Sequence, residues 1–118
     1  MPLQFGSKMV GDVCVLVPEG KIVIGDEVGA MREKIKEVLQ SGHKNILISL
    51  EKVSYMDSTG VGALVGTFTT IRNQGGQLKL SSLSQRTRDI LLVTKLLTVF
   101  DVYENEGEGI KSFSTKKS

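Results

Sequence analysis

The spacing of hydrophobic residues predicts that the chain opens with two strands. Residues 3–10 form a candidate first strand, and a turn at 11–12 separates it from a second strand at 13–17. The second segment is apolar throughout and rich in valine, which is typical of a strand buried on both faces. Residues 18–20 contain Pro and Gly and are expected to interrupt this strand, with residues 21–24 extending the pairing.

Beyond these strands the hydrophobic period switches repeatedly between helical and extended spacing. The predicted elements are a helix at 28–39, a strand at 46–50, a helix at 61–71, a strand at 77–80, a helix at 87–94, a strand at 99–103 and a short helix from Asn105. Asp26 is placed to cap or charge the N-terminus of the first helix. The order β-β-α-β-α-β-α-β-α predicts an α/β sandwich around a mixed central sheet.

Length and charge narrow the class of protein. We expect residues 1–118 to form one domain, with 114–118 as a flexible tail. Lys and Arg number 15 against 13 Asp and Glu, and this balance argues against direct nucleic-acid binding.

No apolar run approaches the roughly 18 residues of a membrane span, and the N-terminal segment lacks the pattern of an export signal. The single cysteine, Cys14, lies in an apolar run and is expected to be a buried thiol in a reducing, cytoplasmic compartment.

The segment 55–62 is the strongest candidate for function. It follows a predicted central strand and precedes a helix, at the sheet edge where α/β proteins usually meet ligands and partners. Asp57 or Ser58 can cap the helix, and the Ser58 hydroxyl is well placed to hold a phosphate at the helix N-terminus. Gly60 and Gly62 each cost about 1 kcal/mol relative to alanine, which suggests close approach or tight packing there. By spacing alone, however, the segment is also an ordinary capping sequence.

Residues 56–62 read MDSTGVG, followed by an apolar helix and then Gly75-Gly76. This pattern resembles the signature of anti-sigma factor antagonists of the STAS family, and the predicted element order agrees across nearly the whole chain. The strand at 46–50 also resembles the strand that precedes the switch loop of that family. The resemblance implies a STAS-like sandwich and a non-enzymatic chain that needs no cofactor and holds no metal.

The resemblance further implies partner switching. The unphosphorylated antagonist binds an anti-sigma factor that is itself a serine kinase, and the sigma factor is freed. Phosphorylation at Ser58 releases the antagonist, and a phosphatase resets it. The implied partner-binding residues are Asp57, Thr59, Gly60, Gly62 and Asp26.

Three further details concern individual residues. Thr59 is a second candidate acceptor, although the family pattern assigns that role to Ser58. Val23 stands where family members often carry an acidic residue. Tyr55 and Met56 are expected to pack under the loop and fix its path.

The sequence is also compatible with several alternative functions. The chain could be an unphosphorylated STAS scaffold, or an accessory subunit of a sensory or transport complex. A phosphoaspartate receiver built on Asp57 would need an acidic pair after the first strand and a lysine after the last, where Glu104 stands. A serine hydrolase would need His43, which lies at the far end of its strand. Arg86 and Arg88 form either a solvated face or a receptor for a phosphate or an acidic partner.

Overall fold

The computed structural model describes residues 4–23 and 25–114, with the backbone alone at 26–28 and 114. Within this part of the chain there are six strands and four helices. The strands are β1 (Gln4–Val10), β2 (Val13–Ile22), β3 (Asn45–Ser49), β4 (Val53–Met56), β5 (Gln77–Ser81) and β6 (Asp101–Tyr103). The helices are α1 (Asp26–Gln40), α2 (Ser58–Asn73), α3 (Gln85–Val93) and α4 (Glu106–Ser114). The predicted mixed α/β class is confirmed, and the structure contains one strand more than the sequence pattern predicted.

The sheet is mixed because only β1 runs against its neighbour. The strand order is β1-β2-β3-β5-β6, with an antiparallel pair at β1 and β2 and parallel pairs elsewhere. The short strand β4 lies off this path and pairs in parallel with the end of β2. Since β2, β3, β4 and β5 are parallel, their carboxyl ends lie at one edge of the sheet.

Alternate residues of the central strands enter two separate apolar clusters, as the period of two along a strand requires. One cluster includes Leu16 of β2 and Ile48 of β3, and helices α1, α2 and α3 pack against that face. The other contains Val15 of β2 and Leu47 of β3, covered by Phe113 of α4. The sheet is therefore covered by helices on both faces, with three helices on one side and α4 on the other.

The second strand is not interrupted at residues 18–20, as the sequence pattern predicted, but continues from Val13 to Ile22. Pairing with β3 ends at Leu16, and pairing with β4 begins at Gly20. Pro18 lies between these two partners and faces Phe5 of β1 on its other side. A proline, which lacks an N–H, is tolerated where no ladder bond is needed.

Strand β4 was missed because its sequence carries little strand signal. It has only four residues, and the buried side chains are the first and last, Val53 and Met56. This pattern breaks the usual alternation of buried and exposed positions, and a register shift occurs in the pairing with β2 between Gly20 and Lys21.

The tail predicted from Ser114 also needs correction, because α4 includes Ser114, and residues 115–118 lie outside the described part.

Cys14 is buried in β2, as predicted, with 5% of its surface exposed. Burial raises the pKa of the thiol above its ordinary value, and the positive charge of Lys34 opposes that shift. A buried, protonated thiol is a poor nucleophile, so the structure supports a packing role for Cys14.

A buried lysine joins α4 to the sheet. Lys79 of β5 donates from Nζ to the Ser112 hydroxyl oxygen at 3.0 Å. The same ammonium lies 4.6 Å from the centre of the Phe113 ring and 5.6 Å from that of Tyr103. Two aromatic faces and a hydroxyl thus replace part of the hydration that the charge loses on burial.

We expect Lys79→Met to lower the free energy of unfolding by about 1–2 kcal/mol, because it keeps the length of the side chain but loses the charged contacts. Lys52→Met is the matched control at an exposed position and should change stability by less than about 0.5 kcal/mol. Urea denaturation followed by circular dichroism measures both. Equal or greater stability of Lys79→Met would show that the ammonium does not hold α4 in place.

Candidate functional site

The junction between β4 and α2 lies at the carboxyl edge of the sheet. The Asp57 N–H donates to the carbonyl oxygen of Ile22 at 3.4 Å, so the chain leaves β4 still attached to β2. Asp57 then forms the N-cap of α2, and its Oδ1 accepts from the Gly60 N–H at 2.8 Å. Its carbonyl oxygen accepts the first helical bond, from Val61 at 2.9 Å. Of the two predicted cap residues, the structure therefore assigns the cap to Asp57.

Capping by Asp57 leaves Ser58 as the first residue of the helix. Ser58 and Thr59 are both exposed, whereas Met56 on one side and Gly60 on the other are buried. The first turn contains no acidic residue. The Ser58 hydroxyl is therefore presented to solvent at the positive end of the α2 dipole, where an anion is stabilised.

Gly60 occupies a position that no other residue can fill without movement of the backbone. A Cβ atom at Gly60 would lie 1.9 Å from the carbonyl oxygen of Ile22 and 2.9 Å from its carbonyl carbon. The close approach suggested by the sequence thus occurs, but it is made by β2 of the same chain. Gly60 is buried, so its expected role as a partner contact is corrected to one of positioning the loop.

Gly62 differs from Gly60 although both lie in the first two turns of α2. It is exposed, and a Cβ atom there would meet nothing within 4 Å. No packing within the described part of the chain requires a glycine at this position. Gly62 remains available for close approach by another molecule.

Asp26 was predicted to cap or charge the start of α1. The N-cap is Gly25, which makes no side-chain capping bond, and Asp26 is the first helical residue. The capping alternative is therefore wrong, and the alternative that Asp26 charges this helix start stays a prediction. Because α1 follows the end of β2 and α2 follows the end of β4, both helix starts lie at the same sheet edge.

An aromatic–cation pair lies beside this edge. Met56 is buried under the loop as predicted, but Tyr55 is 38% exposed, so the prediction that it packs under the loop is wrong. The guanidinium carbon of Arg86, in the first turn of α3, lies 6.0 Å from the centre of the Tyr55 ring. Sequence reasoning considered Arg86 but missed this pairing, since β4 itself was not predicted.

The geometry disfavours the hydrolase alternative. His43 lies in the turn that precedes β3, and Ser58 follows the end of β4. Both strands are parallel to β2, so the two residues lie at opposite edges of the sheet. His43 and Ser58 therefore do not form a catalytic pair.

Comparisons with known proteins agree with this architecture. The family model described as the STAS domain matches residues 7–109. An anti-sigma-B factor antagonist of Bacillus subtilis is 40% identical over 81 residues, which are 69% of this chain and 73% of that protein. An anti-sigma-B factor antagonist of Listeria monocytogenes is 35% identical over 92 residues, covering 74% of this chain and 81% of that protein.

Among solved structures, the Bacillus cell fate determinant SpoIIAA in its phosphorylated form is similar to this chain. It superposes with a TM-score of 0.71 and 25% identity, covering 93% of this chain and 99% of that one. The chain therefore belongs to the STAS domain family, and within it to the anti-sigma factor antagonists, as its motif indicated. None of the helices in the described residues is both long enough and apolar enough to span a membrane.

The two glycines give a direct test of the loop geometry. Gly60→Ala should lower the free energy of unfolding by at least about 2 kcal/mol, because its methyl group collides with the Ile22 carbonyl. Gly62→Ala adds the same methyl group in open space and should raise stability by up to about 1 kcal/mol through helix propensity. Urea denaturation compares them, and equal effects at the two positions would contradict the contact between α2 and β2.

Proposed function

We propose that this protein controls a sigma factor by partner switching, with Ser58 as the switch. In its unphosphorylated form it binds an anti-sigma factor that is a serine kinase, and the sigma factor is released. Phosphorylation of Ser58 by that kinase ends the interaction, and a phosphatase restores it. The proposal places the protein in the cytoplasm, where transcription and ATP are found, and ATP is bound by the kinase alone.

The main support for this proposal is that Ser58 is exposed although residues on both sides of it are buried. Its hydroxyl lies on the surface, while Met56 and Gly60 are buried on either side. Asp57 caps the helix, so Ser58 is not needed for that role. A kinase can therefore reach Ser58 without unfolding the helix, and modification need not remove a structural bond.

The electrostatics of the loop support a change in docking on phosphorylation. A phosphoryl group adds about −1.5 to −2 charges at neutral pH. The helix dipole and the backbone N–H groups of the first turn favour a dianion there, which preserves the fold. A partner surface that fits the neutral Ser58 hydroxyl and the adjacent Asp57 carboxylate would instead meet a concentrated negative charge.

The surface around Ser58 has the features of a docking site. We define the docking loop as three exposed residues at the start of α2, which are Ser58, Thr59 and, one turn later, Gly62. Tyr55 and Arg86 lie at the same sheet edge but are not part of this loop. Small residues allow a partner backbone to approach, while an exposed tyrosine and an arginine supply anchoring contacts of the kind found at interface centres. Arg86 would face an acidic group of the partner, or the phosphate itself after modification.

Relatives add independent support. The Bacillus and Listeria proteins are named as antagonists of an anti-sigma factor, and SpoIIAA has a structure in a phosphorylated form. The match to the STAS domain family extends from residue 7 to 109 and therefore includes the docking loop. These resemblances favour a phosphorylated switch over a scaffold that acts unmodified.

A phosphomimetic variant tests the proposal. Ser58→Asp should weaken binding to the anti-sigma factor kinase of the same genome by at least about tenfold, or roughly 1.4 kcal/mol, while the melting temperature changes little. Thr69→Asp is the matched control, because it adds the same charge at an exposed position on α2, three turns away. Calorimetric titration with each candidate kinase measures the affinity.

Two outcomes would contradict this account. A large loss of stability in Ser58→Asp would show that the residue is a structural cap. Unchanged binding by a stable Ser58→Asp variant would indicate a scaffold that uses the same surface without modification.

A further inference from the structure

A groove separates α1 from α2 along the face of the domain away from α4. Its volume is about 540 Å³, within the range of small-molecule sites. Ile35 and Leu39 of α1 and Ala63 of α2 line it, and all three are buried apolar residues. Most of each side chain is covered by its neighbours, and the atoms that remain exposed make this part of the groove apolar.

Two cations lie on the wall formed by α1. Arg32 and Lys36 both line the groove and are both exposed. They lie four residues apart on one helix face, where like charges repel each other. No Asp or Glu is among the residues that line the groove, and within the described residues neither cation forms an ion pair. An anion bound between them would relieve this repulsion.

The wall formed by α2 contains a glycine that packing does not explain. Gly66 lines the groove in the middle of the helix and is exposed. A Cβ atom there would meet nothing within 4 Å. Glycine makes a helix less stable than alanine does at such a position. No steric contact within the described part of the chain explains why residue 66 is a glycine. A larger side chain at Gly66 would project into the groove and occupy it.

We propose that this groove binds a small amphiphilic anion, with an apolar body against Ile35 and Leu39 and a carboxylate or phosphate between Arg32 and Lys36. The amide side chain of Gln40, which also lines the groove, would donate to the same head group. The site is separate from the docking loop, so its ligand would bind whether or not Ser58 is a switch.

Titration followed by ¹H–¹⁵N correlation spectra tests the proposal on the full chain. Decanoate and decyl phosphate, both kept below micelle formation, serve as probes of the two head groups. We expect saturable shifts of the groove amides, including Ala63 and Gly66, with at least one probe. Decyltrimethylammonium has the same chain and the opposite charge, and it should bind at least about tenfold more weakly.

Two variants locate the site. Gly66→Leu places its Cβ atom where nothing lies within 4 Å and directs a larger side chain into the groove, so it should weaken probe binding by at least about tenfold while the melting temperature is kept or raised. Gly62→Leu adds the same side chain in open space one turn earlier and should leave probe binding unchanged. The double variant Arg32→Gln, Lys36→Gln should also weaken binding by about tenfold or more.

Charge at the groove has its own control. The double variant Lys21→Gln, Lys52→Gln removes the same net charge at exposed positions outside the groove and should bind the probe as the parent does. Ser58→Ala should also bind it normally, which separates this test from that of the switch. Absence of saturable shifts, equal binding of the cationic probe, or full binding by Gly66→Leu would each overturn the proposal.

Discussion

The contact between the Ile22 carbonyl and Gly60 determines where the exposed serine lies. The same carbonyl oxygen accepts from the Asp57 N–H and packs against Gly60, so the end of β2 holds both sides of the helix cap. Only glycine permits this approach, and it allows the first turn of α2 to lie directly against the strand. With Asp57 and Gly60 held in this way, Ser58 points to solvent at the first position of the helix.

This arrangement depends on the length of β2. Its first half pairs with β3 and its second half with β4, and Pro18 lies where one partner ends and before the other begins. If the strand ended at Pro18, β4 would have no partner, and α2 would lose the backbone that positions its N-terminus. One long strand thus joins the central sheet to the junction between β4 and α2.

Much of the fold could be predicted from the sequence, because the helices have clear apolar periods and Asp57 is a strong capping residue. The location of Ser58 at the start of α2 followed from the same pattern. By contrast, β4 has only four residues, and its buried and exposed positions do not alternate. The role of Gly60 depends on the carbonyl of Ile22, which lies 38 positions earlier in the chain. The Tyr55–Arg86 pair and the groove between α1 and α2 are also formed by elements distant in sequence, so no local sequence pattern predicts them.

Helix α2 combines two surfaces with different chemistry. Its first two turns expose Ser58, Thr59 and Gly62, and its middle forms one wall of an apolar groove with cations opposite. Between them lie buried residues such as Val61 and Leu64 that fix the helix on the sheet.

The most direct measurement of the central claim is phosphoryl transfer to Ser58. The protein would be mixed with Mg–ATP and each anti-sigma factor kinase of its genome, and its intact mass recorded. The account predicts a gain of one phosphoryl group, about 80 Da, in the parent protein and in Thr59→Ala, and no gain in Ser58→Ala. Tight binding to a kinase without any gain in mass, or an equal gain in Ser58→Ala, would contradict it.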